Sequence, residues 1–154
     1  MSKVDIWFGT ESGNAEMVAD EVSEALSAGG LETRITEMSD LDVTEIAELH
    51  TVVVITSTYG EGGLPATTEP FYDALLAQKP DLTELRFAAF GLGDSSYEHY
   101  SNGIDTLRAA LADLGAHQVG DTGRHDALSG LDPAQVAGDW IAEVAPTLTP
   151  ITVS

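Results

Sequence analysis

The chain has no cysteine. Disulfides, thiolate nucleophiles, Cys-ligated iron–sulfur clusters and thiolate zinc sites are therefore excluded. Bases are scarce: 6 Lys and Arg stand against 26 Asp and Glu, for a formal charge of −20. Charged residues total 21%, slightly below the roughly 25% of ordinary soluble domains, so bases are missing more than acids are in excess. No Lys/Arg patch is available to neutralise a phosphate backbone, so nucleic-acid binding is disfavoured. An anionic membrane surface is disfavoured for the same reason. No apolar run approaches the ~20 residues of a membrane span, and no signal-peptide pattern precedes the first strand-like run, so a cytoplasmic location is expected. A basic protein partner is favoured, because opposite charge speeds encounter. Solubility or a salty cytoplasm explains the acidity equally well.

What is present describes one domain over residues 1–154, long enough to bury roughly two thirds of its unfolded surface without staples. Lys3 to Phe8 is a β-type run ending at Gly9. From Asn14 the period becomes helical, with Val18, Val22, Ala25 and Leu26 on one face, until Gly29-Gly30. Leu31 to Glu37 reads as a second strand. A polar stretch follows, with room for a short helix over Thr44 to Glu48. Thr51 to Thr56 is apolar on both faces, as in a central parallel strand. Pro70 opens a helix carrying Phe71, Leu75 and Leu76. Arg86 to Gly91 is another buried strand. Ile104, Leu107, Leu111 and Leu114 form a helix stripe stopped by Gly115. A weak strand near Ala116 to Asp121 and a helix from Pro133 to Val144 complete the pattern. Five strands alternating with helices imply right-handed crossovers and a parallel sheet covered on both sides. Ligands of such sheets lie beyond the carboxyl ends of the strands.

Three Gly-rich polar segments follow apolar runs and converge on that edge. In the first, Gly9 to Ala15, a strand leads to a helix N-terminus, whose free N–H groups and dipole favour an anion. Thr10, Ser12 and Asn14 add side-chain donors. No Lys follows the glycine, as a Walker A loop requires, and the Gly-x-Gly-x-x-Gly spacing is absent. Hydrogen bonds to a charged group contribute about 1.5–3 kcal/mol each, so neutral donors suffice for one phosphate. An ordinary helix cap explains the loop as readily, and Glu11 opposes an anion unless it faces water. The second segment, Ser57 to Pro65, has Gly60, Gly62 and Gly63, which let a ligand approach the backbone. The third, Gly91 to Asn102, again carries an aromatic residue after a strand. Tyr59 and Tyr97 beside a phosphate grip describe a clamp for a flat aromatic phosphate ester.

Here the residues carry a family resemblance. TESGNAEMVADEV resembles the flavodoxin phosphate signature. STYGEG and GLGDSSYEHY resemble the FMN domains of diflavin reductases and of sulfite reductase flavoprotein. FYDALLAQKPDL is similar to MioC-like flavodoxins. Three such loops in order, over essentially the whole chain, resemble a short-chain flavodoxin. The fold implied is α/β: a flavodoxin-like, doubly wound, five-stranded parallel sheet of order 2-1-3-4-5, with FMN across the strand ends. The resemblance assigns the FMN phosphate to Thr10, Glu11, Ser12, Gly13, Asn14 and Ala15. Ala15 departs from the Thr usual in free flavodoxins and removes one hydroxyl donor. Tyr59 and Tyr97 would cover the two ring faces. Contacts extend over Ser57, Thr58, Gly60, Glu61 and Gly62, and over Leu92, Gly93, Asp94, Ser95, Ser96, Glu98, His99 and Tyr100. Asp126 corresponds to an acid near the site. No ~20-residue insertion splits the last strand region, which is the short-chain pattern. The Gly60 carbonyl would turn toward the flavin as an electron and a proton arrive.

Other constellations are weaker. His50, His99, His117 and His125 show no metal-ligand spacing. Ser95 and Ser96 near His99 lack a Gly-x-Ser-x-Gly elbow. Phe8-Gly9-Thr10 stands where a receiver domain needs acids, and Trp7 and Trp140 read as core. The function implied by the resemblance is an FMN electron carrier, not an enzyme. It would be a monomer moving single electrons between basic redox proteins, a flavodoxin reductase and electron acceptors. An FMN-dependent quinone reductase of the same fold is the alternative, although those relatives are usually longer. A stand-alone domain serving one dedicated reductase is a third reading.

Overall fold

The computed structural model describes residues 3–9, 14–43, 51–57, 68–93, 102–120, 122–126 and 130–148. In chain order these form β1 (Lys3–Gly9), α1 (Asn14–Ala28), β2 (Glu32–Glu37), a 3-10 turn (Met38–Asp40), β3 (Thr51–Ser57) and α2 (Glu69–Gln78). Then follow β4 (Arg86–Gly93), α3 (Asn102–Asp113), β5 (His117–Gln118), β6 (Gly123–Asp126) and α4 (Pro133–Leu148). The strands pair in parallel in the order β2-β1-β3-β4-β5, with β6 also on β4. This is the expected doubly wound order.

Alternation along the central strands explains the two helix layers. Val4, Ile6 and Phe8 of β1, with Val53, Ile55, Ala88, Phe90 and Leu92, face one side. There they meet Val18, Val22 and Leu26 of α1 and Ala137, Trp140, Ile141 and Val144 of α4. Trp7, Val52, Val54, Phe87 and Ala89 face the other side, against Phe71 and Leu75 of α2 and Ile104, Leu107 and Leu111 of α3. Both tryptophans are core residues, as expected. Trp7 meets Phe71 edge-on at 5.6 Å and Trp140 meets Phe90 at 5.2 Å. α1 ends where Gly30 takes a φ of 91° and Leu31 N–H returns to the Leu26 carbonyl at 3.1 Å.

Several expected details are corrected. Ala25 is exposed, because it falls at the edge of a stripe centred on Ala15, Val18, Ala19, Val22 and Leu26. Leu76 is also exposed, lying one residue round the helix from Leu75. β4 runs through Gly91 as expected but continues to Gly93, so Leu92 and Gly93 belong to strand and not loop. The last sheet position holds two short strands where one weak strand is expected. Gln118 pairs with Phe87 and Gly123 with Phe90, so the outer strand carries two more residues than β4 between those rungs. The surplus bulges out at Gly120, φ 71°, and a Gln118 to Thr122 hydrogen bond of 2.8 Å closes it. The short helix expected over residues 44–48 lies outside the described residues.

Candidate functional site

The carboxyl ends of β1, β3, β4 and β6 stand side by side. Gly9 pairs with Thr56, Ser57 with Leu92 and Gly93 with Asp126. Each of the three Gly-rich segments therefore leaves from this rim. α1 begins at Asn14, five residues after the end of β1. Its first N–H groups have no intrahelical acceptor, so the helix presents donors there.

Beneath the rim the packing is close. A Cβ on Gly9 would overlap Thr68 Oγ1 and stand 2.9 Å from Thr68 Cβ. A Cβ on Gly91 would overlap Ile104 Cγ2 and stand 2.8 Å from Ile104 Cβ. These glycines let the start of α2 and the first turn of α3 press onto the strand ends. Thr68 stands just before α2, yet its hydroxyl caps no helix N–H. It is hydrogen-bonded to Thr56 Oγ1 at 2.8 Å, and both residues are fully buried. Thr56 Oγ1 also donates to the Ser57 carbonyl at 3.0 Å. Ser57 Oγ is buried with no hydrogen-bond partner among the described residues. An unpaired buried hydroxyl costs free energy, so a polar ligand group at the end of β3 would relieve it.

On the other side of the rim, Asp105 in the first turn of α3 receives Arg124 Nη2 at 2.7 Å and Nη1 at 3.2 Å. Arg108 Nε adds a third hydrogen bond at 2.9 Å. Partial burial raises the Asp105 carboxyl, and the two arginines more than reverse it, so the group lies below the ordinary carboxylate value. His125 is buried, with Nε2 2.7 Å from the Leu131 carbonyl.

Not all expected site residues fall within the described part of the chain. Thr10, Glu11, Ser12, Gly13, Thr58, Tyr59, Gly60, Glu61, Gly62, Asp94, Ser95, Ser96, Tyr97, Glu98, His99 and Tyr100 lie outside it. Asn14, Ser57, Gly93 and Asp126 are brought to the same rim. The Ala15 and Leu92 side chains are buried in the core layer that α1 and α4 form with the sheet. Thr68, Asp105 and Arg124 support the rim but were not marked by any motif. The scarcity of bases was the available signal, since two of the six converge on one acid. Among the described residues no group of three His, Asp or Glu side chains has the arrangement of a metal site. Among those residues too, no helix is long and apolar enough to cross a membrane.

The donor set fits FMN. Helix N–H groups suit the phosphate, and an unpaired hydroxyl suits a polar chain or ring edge. Comparison with known proteins agrees. The flavodoxin family model matches residues 6–137. Protein MioC of Escherichia coli K12 is 35% identical over 144 residues, 92% of this chain and 95% of that protein. Flavodoxin YqcA of Pectobacterium carotovorum is 34% identical over 141 residues, covering 92% and 93% of the two chains. The structure of a C101S mutant of flavodoxin from Pseudomonas aeruginosa superposes with a TM-score of 0.86 at 37% identity, over 95% of this chain and 98% of that one. With the strand order, the rim and these matches together, the chain belongs to the flavodoxin family and is an FMN-containing electron carrier, not an enzyme.

Proposed function

We propose that this flavodoxin holds one FMN across the ends of β1, β3, β4 and β6, as a single-domain monomer, and exchanges single electrons with basic redox proteins in the cytoplasm. The observation that carries the site assignment is the register of Gly9, Ser57, Gly93 and Asp126 on one rim, with the Ser57 hydroxyl buried and unpaired among the described residues. FMN, when bound, supplies a ring that accepts and releases electrons one at a time. The N-terminus of α1 and the donors of Thr10, Ser12 and Asn14 bind its phosphate. Ser57 to Gly62 and Leu92 to Tyr100 enclose the ring, with Tyr59 and Tyr97 on its faces. Asp126 closes the edge nearest β6.

The acidic surface supports the choice of partner. α1 exposes Glu16, Asp20 and Glu24, α4 exposes Asp139 and Glu143, and neither helix contains Lys or Arg. A basic reductase and basic acceptors are drawn to such a field, and one acidic surface serves both in turn.

Titration of the flavin-free protein with FMN, riboflavin and FAD tests the site. One FMN per chain, bound more tightly than either alternative, is expected. Replacing Ser12 with a bulky residue weakens FMN far more than riboflavin. Equal affinity for FMN and riboflavin refutes the phosphate assignment.

A further inference from the structure

We propose that Asp105 and Arg124 are positioning residues of the flavin site, tying the root of the third loop to the strand that ends in Asp126. The proposal rests on the FMN site described above. α3 begins at Asn102, immediately after the loop that carries Tyr97. Ile104 packs directly on Gly91, so the first turn of α3 lies over the end of β4. Gly91 is the register partner of Arg124. Asp105, the next residue after Ile104, is thereby brought to Arg124, and the two meet through a paired contact at 2.7 and 3.2 Å. A two-point guanidinium–carboxylate contact sets direction as well as distance. Arg108 holds the same carboxylate from one turn further along α3. With two guanidiniums facing it, Asp105 stays ionised at neutral pH.

β6 also packs through Gly123 against Phe90 and Trp140. It is four residues long, and β4 is its pairing partner. Arg124 and His125 project from opposite faces of the strand. Arg124 is held by Asp105 on the α3 side, and His125 Nε2 lies 2.7 Å from the Leu131 carbonyl on the α4 side. The strand is thus gripped on both faces at the two residues before Asp126. The phosphate end of the cofactor depends on α1, which starts beyond β1, two strand positions from β4. Loosening the Asp105–Arg124 tie should therefore disturb the ring end and spare the phosphate end.

The test uses full-length protein loaded with FMN or with riboflavin, measuring the dissociation constant of each and the visible circular dichroism of the bound flavin. Arg124→Gln and Asp105→Asn should each weaken both flavins by about tenfold, on the scale of coupled neighbours. The ratio of FMN to riboflavin affinity should stay constant and the dichroism should change. Arg124→Lys keeps the charge but not the two-point contact, and should fall between wild type and Arg124→Gln. Arg34→Gln is the structural control. It removes a 2.9 Å ion pair to the buried Asp5, in the half of β1 away from the rim, and should lower the thermal midpoint while sparing flavin affinity. Unchanged flavin affinities in Arg124→Gln overturn the proposal. So does a loss confined to FMN, or a loss no larger than Arg34→Gln produces at equal destabilisation. A wild-type protein that holds neither flavin refutes the FMN site itself, and this proposal with it.

Discussion

Gly9→Ala tests how tightly the rim is built. The added methyl would overlap Thr68 Oγ1, approach Thr68 Cβ to 2.9 Å and come to 3.3 Å from Met38 Sδ. Thr68 has no room to yield, being fully buried and bonded to Thr56 at 2.8 Å. If Thr68 rotates, that hydrogen bond is lost at about 1 kcal/mol. Thr68 Cβ still lies only 2.9 Å from the methyl after that rotation, so α2 must shift as well, and overpacking adds about 1–3 kcal/mol. Replacing a strand glycine by alanine returns about 0.5–1 kcal/mol of backbone entropy. A net loss of about 1–3 kcal/mol follows, against a total stability on the order of 5–15 kcal/mol. The thermal midpoint should fall by roughly 3–10 °C for a chain of this size. The assay is urea unfolding followed by far-ultraviolet circular dichroism at fixed ionic strength. Thr68→Ala removes the oxygen that the methyl strikes but keeps the Cβ, so Gly9→Ala should cost about 1 kcal/mol less in that background. A Gly9→Ala stability within about 0.5 kcal/mol of wild type would refute the reasoning, as would a double mutant additive to within that margin.

Three further outcomes are expected. The carboxyl of Asp105 is lowered on balance in the folded protein, so its contribution is complete above the ordinary carboxylate value of ~3.9 and is lost as pH falls through the lowered folded value. The urea midpoint of wild type should therefore exceed that of Asp105→Asn at neutral pH, and the gap should close in acid; a gap independent of pH contradicts this. Electron transfer to a basic partner should slow as ionic strength rises, because the Debye length shortens to ~10 Å at 0.1 M; a rate that rises steadily with salt counts against acidic docking. Spectroelectrochemical titration should resolve two one-electron steps, the second more negative because a further negative charge forms within a chain of charge −20. Gly60→Ala should shrink their separation on the order of tens of millivolts, the worth of about one hydrogen bond. Unmoved potentials would exclude a turning Gly60 carbonyl.

The layer order and the sheet edge from which the three Gly-rich segments leave were legible in the chain because both depend on short-range patterns. Two-sided apolar runs at 51–56 and 86–91 mark central strands, and helical stripes between them require crossovers. Once the strands are parallel, segments that follow them must share an edge, so the three Gly-rich loops could be grouped without coordinates. The resemblance added the cofactor, which spacing alone left open between a phosphate grip and a helix cap. Local periodicity failed where a partner from elsewhere in the chain decides the outcome. β6 has no alternating apolar pattern, and its Gly123 is accommodated because Phe90 and Trp140 fill the space where a side chain would stand. The Thr56–Thr68 hydroxyl pair joins residues twelve apart, and Arg124 reaches Asp105 across nineteen. Neither spacing repeats with a helix or a strand, so no pattern announces it. Pattern along the chain determined which segments become strands and helices and which edge carries the loops. Close approach between layers decided which hydroxyls are paired, which is left unpaired among the described residues at Ser57, and how the last strand is held, because these depend on contacts that exist only after the sheet has formed.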